Sequence, residues 1–199
     1  MIYLVRHGET PGNARRFLQF PETPLSDRGA EQARRLGERL AQYEVARILS
    51  SDYARAEATA ARIAEETGAP LEREPLLRER DFGSLRGTPY ADLQVDPFAA
   101  DYAPPDGEDW ATFHARVDRA WKRVVAAASV GSLVVVTHGL VGLSLAGRHL
   151  TLPAGETLGR TGLGNTSLTS VEARPPYRVT QFNCTAHLED MPTPRGAPA

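Results

Sequence analysis

The stretch Ile2-Tyr3-Leu4-Val5-Arg6-His7-Gly8-Glu9-Thr10 decides how the rest of the chain is read. Its first four residues are apolar, with β-branched and aromatic members, and show no polar alternation. That pattern fits a strand buried on both faces, as in a parallel sheet covered by helices. Arg6 and His7 then fall where the strand ends and a glycine breaks it. Ligands of open α/β sheets collect beyond the carboxyl ends of strands. A guanidinium beside an imidazole at that edge suits an anion, most naturally a phosphate, and a neutral imidazole carries a lone pair able to attack phosphorus.

Working outward, the same arrangement recurs. Leu133 to Thr137 reads as another buried strand, followed at once by His138-Gly139 and an apolar helix to about His149. Val45 to Ser50 is a third strand, from which a helix runs to about Thr67, with Tyr53, Ala56, Ala60 and Ile63 on one face and Gly68 as its stop. Arg55 lies in the first turn of that helix, where a cation opposes the helix dipole unless an anion sits there too. Ser26 is the expected cap of a helix to about Tyr43, and Asp109 to Ser129 reads as a long amphipathic helix whose Trp110, Phe113, Val117 and Trp121 belong to the core. A short strand over Pro70 to Arg73 and a hairpin of Thr166 to Ala173 with Tyr177 to Phe182 complete the elements. Ala14 to Leu25 reads as a polar loop, Leu76 to Gly87 as a charged loop packed on the body, and Asp96 to Gly107 as a lid-like excursion. Alternation of strands and helices predicts a three-layer α/β/α sandwich with a mainly parallel central sheet, as one domain over 1–190 and a flexible tail over 191–199.

Composition narrows the function classes. The 199 residues are 41% apolar and 24% charged, with a net charge of -2, so no basic surface for nucleic acid is indicated. No apolar run approaches membrane-spanning length, and there is no signal-peptide pattern. The single Cys184 leaves no internal disulfide and fits a reducing compartment, so the cytoplasm is the expected location. Lys122 is the only lysine, which argues against a Walker phosphate loop and against most Schiff-base chemistry. Gly162-Leu163-Gly164-Asn165 precedes a strand rather than following one and so is not a dinucleotide fingerprint. No metal-ligand spacing is present, and no cofactor is called for.

Five blocks in order resemble the histidine phosphatase superfamily, the group that includes cofactor-dependent phosphoglycerate mutase. They are Leu4 to Thr10 with Asn13; Pro24-Leu25-Ser26 with Gly29 and Gln32-Ala33; Ser50-Ser51-Asp52 with Arg55-Ala56 and Thr59-Ala60; Leu77-Arg78-Glu79 with Phe82-Gly83 and Gly87; and Val136-Thr137-His138-Gly139. The resemblance implies that His7 is a nucleophile forming a phosphohistidine. It also implies that Arg6, Arg55 and His138 clamp the phosphoryl group, and that Glu79 protonates the leaving oxygen and then activates water. Asn13, Thr10, Gln19 and Gly139 join the phosphate-binding set, with Glu108 a weaker candidate, while His114, His149 and His187 are read as structural or surface residues.

Two guanidiniums would neutralise the phosphoryl charge without a metal, and the same cations would hold His7 neutral. Arg78 and Arg80 would oppose an acid role for Glu79 if they pointed at it.

Within that family, the chain lacks room for the extra loops of the mutases. Asn183-Cys184-Thr185-Ala186-His187-Leu188 looks closer to the phosphatase branch, and Thr10 stands where mutases usually carry serine. The expected activity is therefore hydrolysis of a small phosphorylated metabolite, with phosphoglycerate mutase as the runner-up. A non-catalytic phosphate-binding protein is the reading from another class. A homodimer is allowed, whereas nucleic acid and membrane partners are not expected. Phe20 departs from the family's usual glycine after Gln19, and is expected to reshape the leaving-group side of the pocket.

Overall fold

The computed structural model describes residues 1–158 and 162–192. Six strands form one sheet: β1 (Ile2–Arg6), β2 (Val45–Ser50), β3 (Leu71–Arg73), β4 (Ser132–Thr137), β5 (Leu168–Val171) and β6 (Val179–Cys184). Their order is β3-β2-β4-β1-β5-β6. The β3-β2, β2-β4 and β4-β1 pairs are parallel, and β5 alone runs against its neighbours. The mainly parallel sheet is as the chain's pattern requires.

The helices are α1 (Pro11–Arg15), α2 (Asp27–Leu40), α3 (Ala54–Thr67), α4 (Trp110–Ala127) and α5 (Gly139–His149). Period-two alternation along the strands sends side chains to opposite faces. Ile2 and Leu4 of β1 pack with Leu133 and Val135 of β4 against Phe113, Val117 and Val124 of α4 and Val141 and Leu145 of α5. Tyr3 and Val5 pack with Val134 and Val136 against Leu36 and Leu40 of α2 and Ala56, Ala60 and Ile63 of α3. Both faces of the central strands are thus buried under helices, which gives three layers and explains the unbroken apolar runs. No helix among the described residues is long and apolar enough to cross a membrane.

Element ends follow local chemistry. Ser26 caps α2 by accepting from the Gly29 N–H, and Asp109 caps α4 through the Thr112 N–H. Gly68 closes α3 in the left-handed region at φ 70°. The hairpin strands, Leu168–Val171 and Val179–Cys184, start later than expected, and Thr166 and Tyr177 just before them take a positive φ that extended backbone does not. The polar loop expected from Ala14 begins two residues later, because Ala14 and Arg15 belong to the short helix α1. Thr10 caps it by accepting from the Asn13 N–H, and the Asn13 side chain accepts from the Thr10 N–H in return.

Residues 96–108 do not form a free lid. Arg80, 1% exposed, donates from Nε to the Glu108 carbonyl at 3.0 Å, from Nη1 to Pro97 at 2.9 Å and from Nη2 to Tyr102 at 2.7 Å. Trp110 Nε1 adds a bond to the Ala99 carbonyl at 2.7 Å. The excursion is pinned down as a wall. Of the tail expected over 191–199, residues 193–199 lie outside the described residues.

Candidate active site

Strand register assembles the site. Arg6 pairs with Thr137 across β1 and β4, and Ser50 with Val136 across β2 and β4. The next residues along, His7, His138 and Ser51, therefore emerge together at one sheet edge. The His7 and His138 rings lie 5.1 Å apart between centroids. Arg55, in the first turn of the helix that follows β2, reaches the same place and donates from Nε to His7 Nε2 at 3.2 Å.

His7 is fixed as one tautomer by its partners. Its Nδ1 lies 2.7 Å from the Gly8 carbonyl, which can only accept, so Nδ1 carries the proton and Nε2 the lone pair. Burial, then the Arg55 and Arg6 guanidiniums, push the pKa of His7 well below the usual histidine value. The ring is therefore neutral at pH 7, with a lone pair turned toward a cation. Arg55 is 3% exposed, and burial lowers its pKa to about 10, which leaves it charged at neutral pH. Its Nη1 donates to the Phe20 carbonyl at 3.0 Å. Arg6 bonds the Leu163 carbonyl, and burial lowers its pKa also.

Two buried side-chain nitrogens have no partner among the described residues, Arg6 Nε and His138 Nδ1. Both flank His7. Ser51 Oγ, which accepts from the Tyr53 N–H at 3.3 Å, lies 2.9 Å from His138 Nε2. A hydroxyl donating to Nε2 leaves the ring proton on Nδ1. Burial, Arg55 and His7 hold His138 well below the ordinary pKa, so it is neutral as well. Orphaned buried donors are costly unless a ligand meets them, and here they stand beside two guanidiniums. The arrangement has the chemistry of an oxyanion cradle. His138 is wholly buried beside His7 and is not itself among the residues lining the open pocket.

Glu79 faces this cluster from the loop after β3. Its Oε1 accepts from the Arg80 N–H at 3.0 Å and its Oε2 from the Leu140 N–H at 3.1 Å, in the first turn of α5. A Cβ on Gly139 would stand 3.7 Å from Arg6 Nε and 3.9 Å from Glu79 Oε2, so this glycine keeps open the gap between cation and carboxylate. Neither neighbouring guanidinium turns onto Glu79. Arg78 pairs outward with Asp52, Nε to Oδ1 at 2.7 Å, and Arg80 is spent on the three carbonyls of the wall. Glu108 lies off the site: it pairs with Arg116 at 2.6 Å, and Arg116 also donates to the carbonyls of Leu76, Arg78 and Glu79.

A pocket of about 890 Å³ opens over these groups, lined by Arg6, His7, Arg55, Glu79, Asn13, Gln19 and Gly139 among others. Thr10 does not line it. Its hydroxyl is fully buried and is used as the cap of α1, within 2.8 Å of Gln19 Oε1. Asn13 offers a ligand only its NH₂, because its oxygen accepts from the Thr10 N–H and from Asn165 Nδ2, both at 3.2 Å.

Phe20 also departs from expectation. Its side chain is 48% exposed and does not line the pocket. It lies against Gly87, where a Cβ would meet the ring at 2.8 Å, and what the position supplies is the carbonyl that holds Arg55. Besides Tyr53, the aromatic residues that shape the pocket are Phe17, Phe82, Tyr90 and Phe98. Apart from Phe82 they sit in loops without periodicity, and no sequence pattern marks them. Asn165, which donates to the His7 carbonyl at 3.0 Å, lies in the glycine-containing stretch rejected as a dinucleotide motif, in the turn before β5. His114, His149 and His187 lie outside the pocket, bonded to Ser144, to Asp118, and to Arg39 and Thr166.

Residues 2–184 match the family model of the histidine phosphatase superfamily (branch 1). The chain belongs to that superfamily. A relative from Enterobacter sp. (strain 638), named "Probable phosphoglycerate mutase GpmB", is 33% identical over 164 residues, 77% of this chain and 76% of its own. Among solved members, Bacillus stearothermophilus YhfR superposes with a TM-score of 0.82 at 29% identity, covering 94% of this chain and 98% of its own. The mycobacterial glucosyl-3-phosphoglycerate phosphatase Rv2419c, solved with VO3, gives a TM-score of 0.77 at 29% identity, covering 92% and 98%. Relatives thus include both named phosphatases and named mutases, and the sequence resemblance to this superfamily holds.

Proposed function

We propose that the protein is a phosphomonoesterase that works without a metal through a phosphohistidine on His7. The observation that carries this reading is the pairing of His7 with Arg55. A neutral imidazole, tied by Nδ1 to the Gly8 carbonyl, directs its lone pair at a guanidinium 3.2 Å away. A phosphoryl group entering between them replaces the Arg55 contact and is held by Arg55, Arg6 and the ring proton of His138. Phosphoryl transfer needs chiefly such positioning and charge neutralisation.

In the first step His7 Nε2 attacks phosphorus, the ester P–O bond breaks, and the proton of Glu79 goes to the leaving oxygen, releasing the alcohol. In the second, Glu79 takes a proton from water as the water oxygen attacks phosphorus. The P–N bond breaks, inorganic phosphate leaves, and His7 returns to its neutral form. The Leu140 and Arg80 N–H groups position Glu79 for both transfers.

Hydrolysis is favoured over mutase chemistry because the pocket, at about 890 Å³, has ample room for water beside a three-carbon ester. The name of the curated relative supports the second reading, phosphoryl exchange between 2- and 3-phosphoglycerate.

Phosphate release from a panel of phosphomonoesters in EDTA, 3-phosphoglycerate included, separates the readings. Wild type is expected to hydrolyse at least one ester, and His7→Ala to fall to background. No release, together with interconversion of the phosphoglycerates primed by bisphosphoglycerate, would establish the mutase instead. The absence of both reactions leaves a phosphate-binding role.

A further inference from the structure

Beyond the phosphoryl cradle the pocket has a second character. Phe98 packs edge-on against both Phe82 and Tyr90, with centroids 5.8 Å and 5.9 Å apart and planes inclined by 78° in each case. The three rings form a continuous wall, and Leu140, Leu143 and Leu163 line the same pocket. Phe98 and Tyr90 are 41% and 37% exposed, so apolar surface is left open inside a concavity. Such surface gains when a ligand displaces its water.

The wall is built rather than incidental. Arg80 holds the Phe98 segment through the Pro97 carbonyl. On the other side, Leu18 N–H donates to the Thr88 carbonyl at 3.0 Å, Phe17 bridges Pro89, and Tyr90 N–H donates to the Arg16 carbonyl at 2.8 Å. Two chain segments are thereby zipped together beneath Tyr90. Of the other cations on the lining, Arg86 is paired with Asp81 at 2.9 Å, and the Arg16 guanidinium lies 5.8 Å from the Tyr90 ring centroid.

We propose that the alcohol portion of the substrate carries an aromatic or similarly flat apolar ring, seated against the open faces of Phe98 and Tyr90, with the buried Phe82 backing Phe98, and is not a short polyol or hydroxy acid. This rests on the phosphomonoesterase reading. Volume points the same way. At about 30 Å³ per water, the pocket has space for roughly thirty waters, and a three-carbon alcohol would leave most of the wall wet.

The test compares 3-phenylpropyl phosphate with n-propyl phosphate and glycerol 3-phosphate. All three are esters of primary alcohols, so differences in leaving-group acidity stay small. Wild-type kcat/KM is expected to favour the phenylpropyl ester by roughly tenfold or more, the order expected for burying one ring. Phe98→Ala is expected to collapse that ratio toward unity. Equal rates for the esters in wild type, a preference for glycerol 3-phosphate, or equal losses for every ester in Phe98→Ala would overturn the assignment. Calorimetric binding of the same esters to His7→Ala reads the preference without turnover. If wild type hydrolyses nothing, the enzymatic reading fails, and tighter binding of the phenylpropyl ester still supports the ring site. Equal binding of all three esters sinks it.

Discussion

His7 and His138 are two imidazoles that this fold keeps uncharged, and that choice has a cost which depends on pH. Both lie under 5% exposed beside Arg55 and Arg6, and burial with those cations sets their folded pKa far below the ordinary value near 6.5. Above pH 6.5 both folded and unfolded chains carry neutral rings, and the pair contributes nothing to pH dependence. Below 6.5 the unfolded chain binds protons that the folded chain refuses, so stability falls as pH falls, by up to about 1.4 kcal/mol per pH unit for each ring. Urea unfolding at pH 7.5, 6.0 and 5.0 is expected to show this decline, with a clearly smaller slope in the His7→Gln/His138→Gln double variant. An unchanged slope would mean that the rings accept protons in the fold. His187, held down to about 4 by burial and by Arg39 and Arg35, adds to the same decline and remains in the double variant.

At the scale of elements, the loop after β1 is held by close backbone contacts rather than by side-chain bulk. Gly8 N–H donates to Thr59 Oγ1 of α3 at 3.0 Å, and Glu9 N–H to Gln32 Oε1 of α2 at 2.8 Å. A Cβ on Gly29 would lie 1.9 Å from the Glu9 carbonyl oxygen, so the first turn of α2 can lie on this loop only as glycine. Gly29→Ala is expected to push the loop away, at a cost of about 1–3 kcal/mol, and to lower phosphate release by displacing His7. Denaturant unfolding alongside phosphate release measures both effects. A variant of unchanged stability and rate would show that the contact yields freely. These bonds also explain why Gly29, Gln32 and Thr59 occur in the blocks that resemble the superfamily: they hold the main chain beside His7.

For the molecule as a whole, the site is a junction of the sheet edge with two long loops, and α4 fastens both. From this helix Arg116 takes the carbonyls of Leu76, Arg78 and Glu79, while the Arg80 guanidinium stacks 3.9 Å from the Trp110 ring centroid and grips residues 97–108. Arg80 has no carboxylate partner within ion-pair distance among the described residues. Its charge is met by three carbonyls and two ring faces, an arrangement that requires the planar fork of a guanidinium. Arg80→Lys is expected to lower stability by about 2 kcal/mol or more and to speed hydrogen exchange over residues 97–108 ahead of β1. Exchange that stayed uniform would show that the wall does not depend on this residue.

Much of the fold and the centre of the site were legible in the chain itself. Buried strands announce themselves as apolar runs, helix ends as Ser26 and Gly68, and the candidate site as histidine following a strand twice over. All of these are local signals, because backbone geometry and hydrophobic periodicity act over a few residues. The directions of Arg78 and Arg80, the outward turn of Phe20 and the ring wall of Phe82, Tyr90 and Phe98 were decided only in three dimensions. Each depends on partners tens of residues away, such as Asp52 for Arg78, Tyr102 for Arg80, and Phe98 for Phe82. Long-range packing leaves no period in the sequence. The sequence by itself determined a three-layer α/β/α fold with a histidine after each of two neighbouring parallel strands, and tertiary structure determined the shape of the pocket beside them.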